Sequence, residues 1–163
     1  MMGNSAGRVE SINTSHGGVP KTAVLEAQVT SDGIVGDVQR DLRYHGGPER
    51  AVSLYSLERI QDLQREGHPI APGTAGENLT VSGLDWPLIV PDRELQVGGV
   101  RLVVTRYASP CEKIRDSFKD EDFTRISQKV HPGWSRIYCR VVLAGTIRPG
   151  DPVRLVESRH TLP

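Results

Sequence analysis

The chain carries no excess of charge, no long apolar run and very little sulfur. Twenty Lys and Arg balance twenty Asp and Glu over 163 residues, which removes the electrostatic case for nucleic acid or an anionic membrane surface as a partner. No apolar stretch approaches the roughly 20 residues that cross a bilayer. Met1 to Arg8 is small and polar and lacks the apolar core of a secretory signal, so cytoplasm is the expected compartment. The two cysteines, Cys111 and Cys139, sit in different contexts; they read as independent reduced thiols rather than the staple of a secreted scaffold. His16 and His68 lie in polar turns and His160 near the end. No pair of histidines has zinc-ligand spacing, and no phosphate-loop, dinucleotide or nucleophile-elbow motif occurs.

Breakers are plentiful. Seventeen glycines and eleven prolines punctuate short β-prone runs, while aromatics are only 5%. That pattern predicts many short strands in one barrel or sandwich domain, over residues 1–157, with 158–163 as a loose tail. The expected strands are Gly7 to Ile12, Thr22 to Thr30, Ala51 to Tyr55, Asn78 to Val81, Glu94 to Val97, Val100 to Thr105, Ile137 to Ala144 and Pro152 to Val156. Gly98-Gly99 joins two alternating runs as a tight hairpin. Leu57, Ile60 and Leu63 predict a helix capped by Ser56, and Phe123, Ile126 and Val130 a second, with Asp120 as N-cap and Pro132 as its stop.

Four segments carry chemistry. Gly36 to Val52 holds aspartates, arginines, His45 and a Gly46-Gly47-Pro48 turn ahead of an apolar run. Glycines admit close backbone approach and arginines grip phosphate bidentately; a solvated loop with internal ion pairs accounts for the same composition. Pro72 to Leu79 sets Glu77-Asn78 between glycine and a strand, either aimed at a ligand or closing a turn. Thr105 to Ile114 delivers Cys111 from a strand end, through Pro110, into a short helix from Glu112 to Phe118. With Arg106 and Lys113 nearby, that setting favours the thiolate, the form that attacks electrophiles and binds soft metals; the alternative is a buried, inert cysteine. His131 to Tyr138 offers Trp134 for stacking, or as a core anchor, and Arg136 for phosphate. Cys139 lies in a strand-like run and reads as a packing residue.

Taken in order, Gly36-Asp37, Asp41, His45-Gly46-Gly47-Pro48, Arg50-Ala51-Val52, Tyr55, Gly73, Gly76-Glu77-Asn78-Leu79, Gly83-Leu84, Pro110-Cys111 with Lys113-Ile114, and Gly150-Asp151 resemble the MOSC family, named for the C-terminal domain of molybdenum cofactor sulfurase. The resemblance covers most of the chain and points to the small stand-alone bacterial members. The sequence departs from the usual pattern at Pro91-Asp92-Arg93, at Tyr107-Ala108-Ser109 ahead of Pro110-Cys111, and at Arg136, where glycine is frequent.

The resemblance implies a mainly β, MOSC-type barrel with a few short helices. It implies the molybdenum cofactor (molybdopterin) as ligand and Cys111 as the hallmark thiol, a molybdenum ligand in reductase members and a persulfide carrier in sulfurase-linked ones. On the reductase reading His45 relays protons, while Arg50, Arg106, Lys113, Arg136, Glu77, Asn78, Gly46 and Gly47 hold the cofactor. The substrate is then an N-hydroxylated or N-oxide small molecule and the partner an electron-donor protein, since no flavin, haem or iron–sulfur motif is present. On the carrier reading the partner is a cysteine desulfurase. Pyridoxal phosphate would belong to that partner, because none of Lys21, Lys113, Lys119 and Lys129 stands out as a Schiff-base lysine. A third reading is a barrel that binds without catalysis.

Overall fold

The computed structural model describes residues 7–15, 19–37 and 47–157. Its strands are β1 (Gly7–Thr14), β2 (Thr22–Val24), β3 (Ala27–Thr30), β4 (Gly33–Ile34), β5 (Val52–Ser56), β6 (Leu79–Ser82), β7 (Glu94–Val97), β8 (Val100–Ala108), β9 (Arg136–Leu143), β10 (Gly145–Ile147) and β11 (Pro152–Leu155). The main sheet runs β11-β7-β8-β9-β5-β6-β1, with β2 beyond β1, and it closes because β1 also pairs with β11. Closure removes most of the free edge that a sheet otherwise presents. The barrel's neighbours are antiparallel except β5 and β6, which run parallel in the register Leu54 to Leu79. A parallel pair needs a crossover, and here α1 (Leu57–Arg65) and the chain that follows it provide one.

Alternation explains the barrel's interior. Along β8, Val100, Leu102 and Val104 are buried while Arg101, Val103 and Thr105 are partly exposed. Val9, Ile12, Leu54, Leu79, Leu95, Ile137 and Val153 complete one apolar core, each worth about 1.5–3 kcal/mol of burial. Cys139 sits among them on β9, fully buried, and burial pushes its thiol well above the ordinary range. The β7–β8 hairpin turns at Gly98-Gly99 as expected, with Val97 opposite Val100; Gly98 takes φ 55° against the Asp151 carboxylate, where a Cβ would sit 2.7 Å from Oδ2.

Two expectations are revised. The run from Thr22 to Thr30 is two strands: β2 ends on β1, Leu25 is 85% exposed at the break, and β3 joins a separate three-stranded sheet with β10 and β4. The helix expected around Phe123 to Val130 is instead a short 3-10 turn, Phe123–Ile126, preceded by another at Lys119–Glu121. Asp120 and Glu121 both take φ 57°, which no helix interior allows, and Val130 is 54% exposed. Only Phe123 and Ile126 pack against the core, a spacing of three that a 3-10 turn satisfies by itself.

α1 forms where expected, and the Ser56 hydroxyl accepts the Arg59 N–H at 3.1 Å. Ser56→Ala is expected to lower stability by about 1 kcal/mol, whereas Val130→Ala is expected to stay within about 0.5 kcal/mol. Urea unfolding of the two variants distinguishes them, and equal losses would contradict this division of labour.

Candidate functional site

Residues 73–77 form a loop against the barrel whose successive carbonyls are each taken by a different part of the chain. Gly73 O accepts the Lys21 N–H (3.0 Å) and Thr74 O the Ser117 hydroxyl (3.0 Å). Ala75 O accepts Arg136 Nη1 (2.8 Å), Gly76 O the Ser53 hydroxyl (3.5 Å) and Glu77 O the Asn13 side-chain amide (3.1 Å). Buried backbone carbonyls need such partners. Gly73 has φ 86°, and a Cβ there would lie 2.7 Å from Lys21 O, so the close approach requires glycine.

Below this loop lies a polar network. Asn78 Oδ1 accepts from the Ser53 N–H (2.9 Å) and hydroxyl (3.2 Å), and its Nδ2 donates to Asp37 Oδ2 (2.9 Å). Asp37 also accepts from Ser15 N and from Lys21 Nζ, the latter at 2.6 Å with both side chains under a tenth exposed. This network anchors the start of the segment carrying His45 and Gly46, which lie outside the described residues. The chain returns at Gly47 (φ 81°), exposed, ahead of a 3-10 turn, Pro48–Arg50. Thr105 Oγ1 donates to Glu49 O, Glu49 pairs with Arg140 (3.5 Å), and Arg50 lies 5.9 Å from the centre of the Tyr138 ring. The turn is thereby laid across β8 and β9.

Cys111 leaves the end of β8 as a free, half-buried thiol, in extended backbone geometry ahead of a 3-10 turn, Glu112–Ser117. Arg106 and Lys113, on either side of it in sequence, are exposed. Arg136, Glu77 and Asn78 face inward instead. Arg136 is 7% exposed; besides Ala75 its Nη2 reaches the carbonyls of Ala108 (3.4 Å) and Ser109 (3.3 Å). Glu77 is fully buried; its Oε2 accepts the Gly73 N–H (3.0 Å) and the Thr80 hydroxyl (2.8 Å), while Oε1 is unpartnered. Burial lifts the Glu77 carboxyl above the ordinary range, against those hydrogen bonds and the charge of Arg136.

Trp134 is held between two guanidinium groups, Arg59 at 4.3 Å and Arg125 at 4.1 Å from its ring centre. Arg125 pairs bidentately with Glu66 (2.9 and 2.7 Å), which holds the Glu66 carboxyl below the usual range. The Tyr55 hydroxyl donates to Trp134 O (2.6 Å), and desolvation pushes its pKa upward. Trp134 is therefore an anchor of its loop, its ring engaged by two guanidinium groups. Sequence reasoning missed Asn13, Lys21, Ser53 and Ser117 as site supports. Their partners lie tens of residues away, and no local spacing encodes them.

Among the described residues no three His, Cys, Asp or Glu side chains converge. A metal held there would bring other donors with it; a half-buried free thiol, with exposed cations five residues before it and two after it in sequence, has the donor chemistry for a soft metal on an anionic organic ligand.

Gly73→Ala is expected to cost about 1–3 kcal/mol through forced left-handed geometry and the Lys21 contact. Glu77→Gln tests the buried carboxyl. A folded-state pKa above the unfolded one gives stability that is present below the unfolded value (~4.3) and lost as pH rises through the folded value. The melting temperature of the native chain relative to Glu77→Gln should therefore fall as pH rises from about 4 to 8. A constant difference across that range would rule out the raised carboxyl.

The sequence pattern of the MOSC domain matches residues 41–154. The chain is 30% identical to the uncharacterized protein YflK of Bacillus subtilis over 75% of its length and 55% of the relative's. It is 27% identical to the protein YiiM of Escherichia coli over 81% of its length and 60% of the relative's, so it spans little more than half of these curated relatives. It is 29% identical to a protein of Gibberella moniliformis named "Reductase", over 80% of this chain and 24% of that one. The crystal structure of Escherichia coli YiiM superposes with a TM-score of 0.71 at 25% identity, covering 95% of this chain and 71% of that one. No described helix is long and apolar enough to cross a membrane. The order of sequence motifs, the closed barrel and these matches make the chain a member of the MOSC domain family.

Proposed function

We propose that this protein binds the molybdenum cofactor through Cys111 and reduces the N–O bond of N-hydroxylated or N-oxide small molecules. The observation that carries the reading is the free, half-buried Cys111 just past the end of β8, with exposed Arg106 and Lys113 on either side of it in sequence. Membership of the MOSC family and the likeness to a protein named "Reductase" support it. Cys111 would take the metal. Arg50, Arg106 and Lys113 would take the phosphate, with Gly46 and Gly47 giving backbone donors close approach. Glu77, Asn78 and Arg136 would serve by holding the loops beneath, and His45 would carry a proton. Bound molybdenum supplies the two-electron redox chemistry. Overall, two electrons and two protons convert N–OH to N–H and water, the electrons arriving from a partner protein.

Molybdenum and pterin content should be measured in the native chain and in Cys111→Ala, both expressed in a host that makes the cofactor. Metal is expected with the native chain and reduced at least tenfold in the variant. Equal content in both would sink the ligand role. The second reading, sulfur carriage, draws on the same accessible thiol. It expects a mass gain of one sulfur atom on Cys111 after incubation with a cysteine desulfurase, and an unmodified Cys111 would dismiss it.

A further inference from the structure

Arg136 opens β9 opposite Ala108, the last residue of β8, and its side chain turns inward to 7% exposure. Three backbone carbonyls from two segments accept from its guanidinium: Ala75 at 2.8 Å, Ser109 at 3.3 Å and Ala108 at 3.4 Å. The Ser135 hydroxyl also reaches Ala108 O, at 3.3 Å. On the far side of Cys111, the Ser117 hydroxyl donates to Thr74 O at 3.0 Å, and Ile114, Ser117 and Phe118 are buried. The stretch that carries the thiol is thus tied at both ends to adjacent carbonyls, those of Thr74 and Ala75. Between the Arg136 clamp and the thiol stands Pro110, whose fixed φ transmits direction. A planar fork with five donors can span three acceptors, which a lysine ammonium on a flexible stem cannot do with the same geometry.

We infer that Arg136 is a positioning residue for Cys111: by clamping Ala108 and Ser109 to Ala75 it fixes where the thiol stands at the end of the barrel. The inference rests on Cys111 being the functional thiol proposed above. It also gives a physical use to the arginine that this sequence carries where glycine is frequent in the family pattern.

The test is the rate of Cys111 alkylation by iodoacetamide in the folded, full-length chain from a host lacking the cofactor, followed by site-resolved mass spectrometry. Buried Cys139 serves as the internal reference for intact folding. Arg136→Lys keeps the charge and loses the fork, Arg136→Met loses both, and Pro110→Gly uncouples the clamp from the thiol. All three are expected to raise the Cys111 rate about fivefold or more while Cys139 stays protected. Carbon-13 labelling of the cysteine Cβ should then show one Cys111 signal in the native chain and a broadened or doubled one in Arg136→Lys. A native-like rate in Arg136→Lys, even with Arg136→Met altered, would show that the residue acts through charge and overturn the inference, as would unchanged or slower rates throughout. Should Arg136→Met not fold, Arg136→Lys and Pro110→Gly decide. Because the readout needs no metal, a molybdenum-free native protein would defeat the proposed function and leave the positioning role standing, while unchanged alkylation rates would do the reverse.

Discussion

A loop without secondary structure can be buried only if every backbone carbonyl finds a donor. Residues 73–77 meet that requirement with donors from Lys21, Ser117, Arg136, Ser53 and Asn13, one for each carbonyl in turn. The loop thereby becomes the point where β1, β5, β9 and the segment after Cys111 are referred to one another. A net hydrogen bond contributes only about 1 kcal/mol, but a buried acceptor left bare costs about 1–3 kcal/mol, so losing one donor unsettles the loop more than the bond's own strength implies. That asymmetry explains why glycine holds positions 73 and 76: with Gly73 at φ 86° and Gly76 at φ 85°, the backbone can turn each carbonyl toward its own partner.

The same region stores charge in the interior. Lys21 and Asp37 form a pair with side chains 7% and 3% exposed, Glu77 is wholly buried, and Arg136 is nearly so. Ion pairs of this kind add little net stability over apolar packing, because desolvation offsets attraction. Here the Lys21–Asp37 pair and the hydrogen bonds of Arg136 connect elements far apart in sequence. Lys21–Asp37 joins the residue before β2 to Asp37, ahead of the His45 segment, and Arg136 joins the end of β8 to the 73–77 loop. Directional bonds of this sort suit a floor that must hold loops in place.

The fold was largely legible in the sequence, because its signals are local. Alternation along Val100 to Thr105, the Gly98-Gly99 hairpin and the Ser56 cap each lie within a few residues, and each appears where expected. What failed was also local in cause. Leu25 looks like a strand interior but is where the chain changes sheets, and Phe123 with Ile126 fits a helix or a 3-10 turn until the positive φ of Asp120 and Glu121 decides. The site was legible only as a set of segments. Their order pointed to Cys111 and the Gly-Glu-Asn loop, but the inward turn of Arg136 and Asn78 goes with bonds between residues 61 and 25 apart in sequence, and the loop carrying Glu77 is held by Asn13, 64 residues away. Trp134 shows the limit well: an aromatic in a loop reads as a stacking surface until two arginines are found packed over its ring.

These features divide the site into a rigid floor and an accessible rim. The floor is Asn13, Ser53, Glu77, Asn78 and Arg136, all buried and hydrogen-bonded within the chain; the rim is half-buried Cys111 with exposed Arg106 and Lys113. On the proposed reading, the thiol at the rim has its direction set by residues that do not themselves meet the ligand. Arg136 carries its charge inward, whereas Arg106 and Lys113 carry theirs at the surface. The inner arginine meets the carbonyls of Ala75, Ala108 and Ser109, while the outer cations are exposed.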